Sequence, residues 1–426
     1  MKMILGQMKC IYIYVVSFSL IATTTNLSAQ VYKIANSPRI VSRIVSTEIP
    51  KFYGSIYIEK DGLRIRSGDF ISNNNGRSWL KSPMKPDFIS GLPSGYRRNP
   101  VTSVLDTNTG RIITIVNALD IKNLDPTINE PPVAQKTYYL RYRVSEDSGK
   151  TWQFDDPIIQ TGKFTEHPFS GIFIGKNSIY LGDKGSIPII TKKGKILVPA
   201  QTTPLGPDGE LWNPGGGYTY TDVVVLIGTW TGNNKISWKM SDRVKGDPHR
   251  STRGMIEPTL LEMEDGRLLM VMRGSNEKKG SAEYQLPSYK WYSVSKDGGQ
   301  TWSAPAPFTF EDGKSFYSPS SMSTLFRHSS GRCFWVGNMT EENSKGNLPR
   351  WPLVFAEVNT KTLKLIRKSL LIVDTHHEED NSRGRLDISH ISLIEDKKTK
   401  EIILTYPRSH NAYKSREWVT TRIAIK

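Results

Sequence analysis

One octapeptide recurs along the chain, and it limits the fold more than any other feature. Ser145–Trp152 reads SEDSGKTW and Ser295–Trp302 reads SKDGGQTW, both fitting S-x-D-x-G-x-T-W without a mismatch. Ser72–Trp79 (SNNNGRSW) is a weaker copy with Asn74 at the Asp place, and Thr231–Trp238 (TGNNKISW) is a degenerate one. A short unit repeated at wide spacing marks a repeat architecture. The chemistry of the unit is that of a tight turn. Asp accepts backbone N–H bonds, Gly takes positive φ, and the hydroxyls bond the turn backbone. The Trp packs under the next strand. The octapeptide is therefore a clasp on a hairpin, and its Asp residues are structural rather than catalytic.

The intervals between Trp79, Trp152, Trp238 and Trp302 each have room for a four-stranded sheet with loops. Paired apolar runs with turn punctuation fill them. Pro100–Leu105 goes with Arg111–Val116, Ile187–Thr191 with Lys195–Pro199, and Ser323–Arg327 with Cys333–Gly337. Pro352–Val358 goes with Leu363–Ile366, and Ile391–Glu395 with Glu401–Tyr406. No amphipathic helix follows the N-terminal segment. The pattern predicts an all-β chain built by radial repetition of blades, a propeller, with a two-sheet sandwich as the alternative.

The N-terminus carries an export signature. Lys2 and Lys9 precede the apolar run Ile11–Ala22, which is too short for a comfortable membrane span. A cut is expected after Ala29, giving a signal peptide over residues 1–29 and one domain over residues 30–426. Cys10 leaves with the signal, so Cys333 stands alone and no internal disulfide is expected. The formal charge of +16 is spread over turn-like sites such as Lys192-Lys193 and Lys278-Lys279. No basic stripe with interleaved aromatics accompanies it, so a nucleic-acid partner is not expected.

The stretch Met255–Ser275 (MIEPTLLEMEDGRLLMVMRGS) reads as a hairpin around Asp265-Gly266, a pair suited to a two-residue type I′ turn. That register puts Glu257 opposite Gly274 and Arg273 opposite Pro258. The two charges then share one end of the hairpin but lie on opposite pleat faces, and need a bulge or local twist to meet. Taken alone, the hairpin is equally compatible with a surface ion pair.

Together these features resemble the sialidase (neuraminidase) superfamily over roughly residues 96–406. Its Asp-boxes have the octapeptide's form, and its members carry a glutamate before and an arginine after such a hairpin. The resemblance implies a six-bladed β-propeller and three arginines that grip a substrate carboxylate. Guanidinium groups suit that task because they donate two parallel charge-assisted bonds. The positions that match are Arg98 in Tyr96-Arg97-Arg98-Asn99-Pro100, with Arg97 as fallback, then Arg273, then Arg350 before Trp351-Pro352. The implied acid/base is Asp120, with Asp125 close behind, and the implied base or orienting group is Glu257. Sialidases use a tyrosine nucleophile. Here His390 stands at its expected place, in Asp387-Ile388-Ser389-His390, and the nearest later tyrosines are Tyr406 and Tyr413. Either a tyrosine from another loop, Tyr406 first, serves instead, or His390 acts as base or nucleophile, or the chain binds without cleaving.

Other motifs carry less. His376-His377-Glu378-Glu379-Asp380 reads as a loop rather than a metal cluster, since adjacent side chains diverge. Gly215-Gly216-Gly217, with Trp212, Tyr218 and Tyr220, reads as an exposed loop whose aromatics could stack on sugars. Tyr317-Ser318-Pro319-Ser320-Ser321 reads as a strand entry near the pocket. The expectation is a secreted or periplasmic exo-glycosidase, needing no metal or other cofactor, that removes a terminal acidic sugar from a glycan or oligosaccharide. A lyase or other hydrolase on an acidic polysaccharide and a non-catalytic glycan-binding propeller are the alternatives.

Overall fold

The computed structural model describes residues 38–46, 54–82, 96–120, 134–159 and, apart from 168, 184, 233, 282–283, 285 and 412–414, residues 167–425. The expected signal segment, Asp125 and Tyr413 lie outside them. The described strands form six antiparallel sheets, as in a six-bladed propeller. The sandwich alternative is thereby set aside. Blade one holds Ile56–Tyr57 to Leu80–Lys81, and blade two holds Tyr96–Asp106, Arg111–Asp120, Tyr139–Ser145 and Asp155–Pro157. Blade three centres on Ile196–Thr202 and Asp222–Trp230, blade four on Ile256–Glu262, Leu268–Arg273 and Lys290–Ser295, and blade five on Cys333–Asn338 and Leu353–Val358. Blade six pairs Ile402–His410 with Ser415–Ala424, and its outer strand is Arg39–Ser46 from the other end of the chain.

The core lies between neighbouring blades. Leu197, Val223 and Val225 of blade three pack on Leu268, Met270 and Met272 of blade four, and Leu269 and Val271 on the other face pack on Trp335 and Val354 of blade five. Middle strands are apolar on both faces because both faces are covered, which explains the uninterrupted run Leu268–Met272. Each such side chain contributes about 1.5–3 kcal/mol by burial.

The clasps behave as their chemistry requires. Asp147 Oδ1 accepts from the amides of Lys150 and Thr151 at 3.0 and 2.9 Å, and Ser145 Oγ accepts from Gly149 N at 2.9 Å. Asp297 repeats this with Gln300 and Thr301, both at 3.0 Å. Burial opposes ionisation of the two carboxylates, but these hydrogen bonds outweigh it and pull both pKa values down to about 2. The Asn74 copy also closes, with Asn74 Oδ1 accepting from Ser78 N at 2.9 Å. In the degenerate copy the Trp persists, Trp238 being buried against Tyr142, while Thr231 N bonds Lys235 O at 2.8 Å. Every copy follows the third strand of its blade. Ser295 pairs with Leu268, so the clasps lie on the face opposite Arg273.

Blade six is cross-braced by a buried charge network. Arg408 donates to Asp374 at 2.5 Å and also to Asp380, and His410 Nε2 meets Asp380 Oδ1 at 2.8 Å. Arg43 of the outer strand reaches Asp374 at 3.0 Å. Asp380 belongs to the short 3₁₀ helix Glu378–Arg383, where the sequence suggested a loop. Burial opposes its ionisation, but Arg408, the His377 amide and His410 prevail and hold its pKa well below the usual range. A depressed carboxylate stabilises the fold above its unfolded pKa and ceases to do so as pH falls through the folded value. Stability should therefore fall on acidification below about pH 4, and Asp380→Asn should flatten that fall in pH-dependent urea melts. An unchanged slope would remove Asp380 from the acid response.

Candidate active site

The hairpin brings Glu257 and Arg273 together through a bulge. Ile256 pairs with Arg273 and Thr259 with Val271, so two residues of one strand face one of the other. Glu257 takes the left-handed conformation there, φ +48°. The turn differs from expectation by one residue. Met263 N bonds Arg267 O at 2.7 Å across a three-residue loop, Glu264-Asp265-Gly266, with Gly266 alone of the three at positive φ. Asp-Gly serves a three-residue loop with glycine last as well as a type I′ turn.

Arg273 Nη1 donates to Glu257 Oε1 at 2.5 Å, its Nε to Ser320 Oγ at 2.8 Å, and its Nη2 to Asn347 Oδ1 at 3.1 Å. The backbone N–H of Glu257 donates to Gln201 Oε1 at 3.0 Å. Glu257 Oε2 is buried without a hydrogen-bond partner among the described residues. Arg350 lies beside this pair. Its Nη2 donates to Ser320 O at 3.3 Å, and its Nη1 lies 3.5 Å from both Asp387 carboxylate oxygens and 3.4 Å from Ser389 Oγ. Both arginines are buried, Arg273 at 8% and Arg350 at 7% exposure. One serine thus serves two arginines, through its hydroxyl and its carbonyl.

His390 enters next to Arg350. Ile388 N bonds Arg350 O at 3.0 Å, which carries the chain past the arginine, and His390 adopts φ +64°. Its Nδ1 is 2.9 Å from Ser389 Oγ and its Nε2 is 3.5 Å from Asp183 Oδ2. Two non-glycine residues in the left-handed region, Glu257 and His390, cost about 1–2 kcal/mol each, the kind of strain that collects at functional sites. Asp183 comes from blade three. A Cβ on the preceding Gly182 would sit 2.2 Å from Gln201 Oε1 and 3.1 Å from Glu257 Cγ, so this segment lies directly against both side chains.

Electrostatics separate the two carboxyls. Burial pushes the pKa of Asp183 up, Glu257 adds to the rise, and His390 and Arg273 only partly offset it. Burial also acts on Glu257, but Arg273, Arg350, Arg253 and His390 overcome it and hold Glu257 below its usual range. Arg273 itself is pushed down to about 10 by burial and by Arg253 and Arg350, against the pull of Glu257. The two carboxyls are thus driven in opposite directions, Glu257 toward its charged form and Asp183 toward its acid form.

Behind the arginines stands Lys290, fully buried and paired in register with Arg273. Its Nζ donates to Pro319 O at 3.0 Å and to Ser321 O at 2.5 Å, clamping the turn that presents Ser320. Burial first, then Arg273 and Arg350, drive its pKa well down against the pull of Glu257.

Among the residues singled out from sequence, Glu257, Arg273, Arg350 and His390 converge. Arg98 lies opposite Ala118 and Asp120 opposite Tyr96, at the end of their hairpin away from the clasp and so on the face of Arg273; their side chains lie outside the described residues. Tyr406 does not join the cluster. It sits at 0% exposure in the core of blade six, its hydroxyl 3.3 Å from Thr421 Oγ1, and burial drives its pKa far up. A phenol so enclosed has no route to a substrate, which corrects its candidacy. Asp183, Arg253, Lys290, Asn347 and the part played by Ser320 went unseen in the sequence. Arg253 donates to Thr219 Oγ1 at 2.7 Å, in the loop after the glycine run. On either side of the glycine run Trp212 and Tyr218 are exposed, whereas Tyr220 is buried and donates to Gly246 O at 2.8 Å.

Six radial sheets and a buried arginine–glutamate cluster on the face away from the clasps define a β-propeller of sialidase-like architecture. The chain belongs to the BNR repeat-like domain family, which it matches over residues 97–393. It is similar in fold to a protein of unknown function from Dyadobacter fermentans (15% identity, TM-score 0.55, 92% of this chain and 100% of that one). It is similar also to the NanB sialidase of Streptococcus pneumoniae (13% identity, TM-score 0.53, 91% and 68%). The intramolecular trans-sialidase of Ruminococcus gnavus gives 14% identity and a TM-score of 0.52, covering 91% and 93%. No curated protein matches this chain by sequence. No helix among the described residues is long and apolar enough to cross a membrane.

Proposed function

We propose that this chain is a glycoside hydrolase that removes a terminal acidic sugar, sialic acid or a related 2-keto-3-deoxy sugar, from glycans. Export by the segment ending at Ala29 would put it outside the cytoplasm. The observation that carries the reading is the pair of buried guanidinium groups, Arg273 and Arg350, held on one serine beside an ionised glutamate. Such a pair offers fixed, desolvated donors to a planar carboxylate. The propeller relatives named as sialidase and trans-sialidase support the same substrate class. In this reading Arg273 and Arg350, with Arg98, hold the sugar carboxylate. Glu257 supports the charge that develops at the anomeric centre. His390 takes the tyrosine's place and works as a base on water, and an acid on the same face, Asp120 being one candidate, protonates the leaving oxygen.

His390 in the tyrosine's place also favours a second reading, elimination on uronic-acid glycans with histidine as base. One experiment separates the readings. The purified mature chain is given sialosides, 2-keto-3-deoxy sugar conjugates and uronic-acid glycans in ¹⁸O water, and products are weighed by mass spectrometry. A released acidic sugar carrying ¹⁸O is expected. An unsaturated product without added water would move the assignment to a lyase, and intact substrates throughout would favour a binding protein.

The same reading gives Lys290 a measurable part. Lys290→Met keeps most of the length of the side chain and removes both donations to the Ser320 turn. Loss of two hydrogen bonds, about 0.5–1.5 kcal/mol each, should raise KM for the acidic substrate about five- to 100-fold while kcat changes less. Equal effects on both constants, or none, would make Lys290 a packing residue only.

A further inference from the structure

We propose that Asp183 is a catalytic residue of this site, sharing a proton with His390 and delivering it to the oxygen of the departing sugar. The inference rests on the reading of the site as a glycosidase and deepens it.

Three geometric observations carry it. Asp183 Oδ2 lies 3.5 Å from His390 Nε2, although the two residues come from blades three and six. Its other oxygen is fixed by the Gly185 amide at 3.2 Å, so the carboxyl has a set orientation. The segment that carries it lies against Glu257: a Cβ on Gly182 would meet Glu257 Cγ at 3.1 Å. Two carboxyls and an imidazole therefore meet in one place, with a side-chain exposure of 17% for Asp183 and 27% for His390. Substrate and water can reach both.

The charges around the pair decide which group holds the proton. Asp183 faces His390, Glu257 and Arg273. His390 faces Asp183, Glu257 and, through Nδ1, Ser389, whose hydroxyl donates on to Asp387 at 3.1 Å. Arg273 is committed to Glu257, which leaves Asp183 in the field of an ionised neighbour and favours its acid form. When two carboxyls are driven apart in this way, one serves as acid and the other stays charged. In the reaction the glycosidic C–O bond breaks and its electron pair stays on the leaving oxygen. That oxygen takes the proton from Asp183. Water bonds to the anomeric carbon, and the proton it loses passes to the His390–Asp183 pair, restoring it. The balance is hydrolysis, with no other reactant.

The test compares leaving groups. A poor leaving group needs a proton donor and a nitrophenolate does not, so only an acid catalyst discriminates between them. Asp183→Asn should cut kcat/KM on the natural glycoside by about 100- to 10,000-fold and on the nitrophenyl glycoside of the same sugar by less than about tenfold. Asp120→Asn is the comparison. Equal losses on both substrates in Asp183→Asn, or the selective loss in Asp120→Asn instead, would overturn the proposal. A second measurement needs no substrate. In ¹³C-carboxylate spectra of the full chain, with Asp183→Asn identifying the resonance, His390→Gln should shift the Asp183 titration to higher pH. An unmoved titration would also overturn the shared proton. Should the wild type cleave neither glycoside, the glycosidase reading falls, and the spectra still decide whether Asp183 and His390 share a proton.

Discussion

Glu257→Gln should lower kcat by about 100- to 10,000-fold, the range for loss of a charge acting in the transition state, with KM changed only a few-fold. The side chain keeps its shape, and the amide can still face Arg273 Nη1 through its oxygen. What disappears is the negative charge next to His390 and Asp183. The bulge, the left-handed backbone and the hydrogen bond from Glu257 N to Gln201 are retained, so the folded state is little altered. The measurement is steady-state kinetics on the substrate found by mass spectrometry. A fall in affinity with turnover intact would recast Glu257 as a ligand-orienting group and remove it from the chemistry.

Arg273→Ala should have the other large effect, and in a different constant. Two charge-assisted hydrogen bonds to a substrate carboxylate, about 1.5–3 kcal/mol each, correspond to a fall in kcat/KM of about 100-fold or more. KM should carry most of it. Stability falls as well, because Glu257 would be left buried without its cation, a loss of about 3–5 kcal/mol. Arg273→Lys isolates the two effects. It returns a charge to Glu257 and so recovers much of the stability, but a point charge cannot reproduce the guanidinium fork to Ser320 and Asn347. Unchanged KM for a cleaved acidic substrate in Arg273→Ala would take this arginine off the carboxylate.

How far the molecule was legible in its sequence depended on the range of the interactions. The clasps are local, each folded by hydrogen bonds within eight residues, and they declared a repeated β-unit directly. The number of blades was not in them, since blades five and six carry no recognisable copy; it came from the family likeness. The Glu257–Arg273 hairpin was readable, including the bulge it needed, but the turn was misjudged by one residue. His390 was found by its place after Arg350. Tyr406 matches the family's tyrosine in residue type alone, because its strand, Ile402–His410, is buried from end to end. Asp183 and Lys290 gave no signal. One meets its partners across blades, and the other bonds only backbone carbonyls, whose positions no side-chain pattern announces.

The outer strand of blade six has a consequence for how the molecule comes into being. Arg39–Ser46 is made long before Ser415–Ala424, yet they are neighbours, Ile40 opposite Ile423 and Ser46 opposite Trp418. The circle of sheets is fastened by main-chain hydrogen bonds between two strands far apart in the sequence. Until Ser415–Ala424 has been made, Arg39–Ser46 lacks that neighbour, and the last sheet stays an open edge exposed to other chains. Loss of either strand would act on the whole ring at once. Joining these two strands by a short linker and opening the chain between two blades instead would keep the same ring of sheets while moving that seam to a place where it can form early.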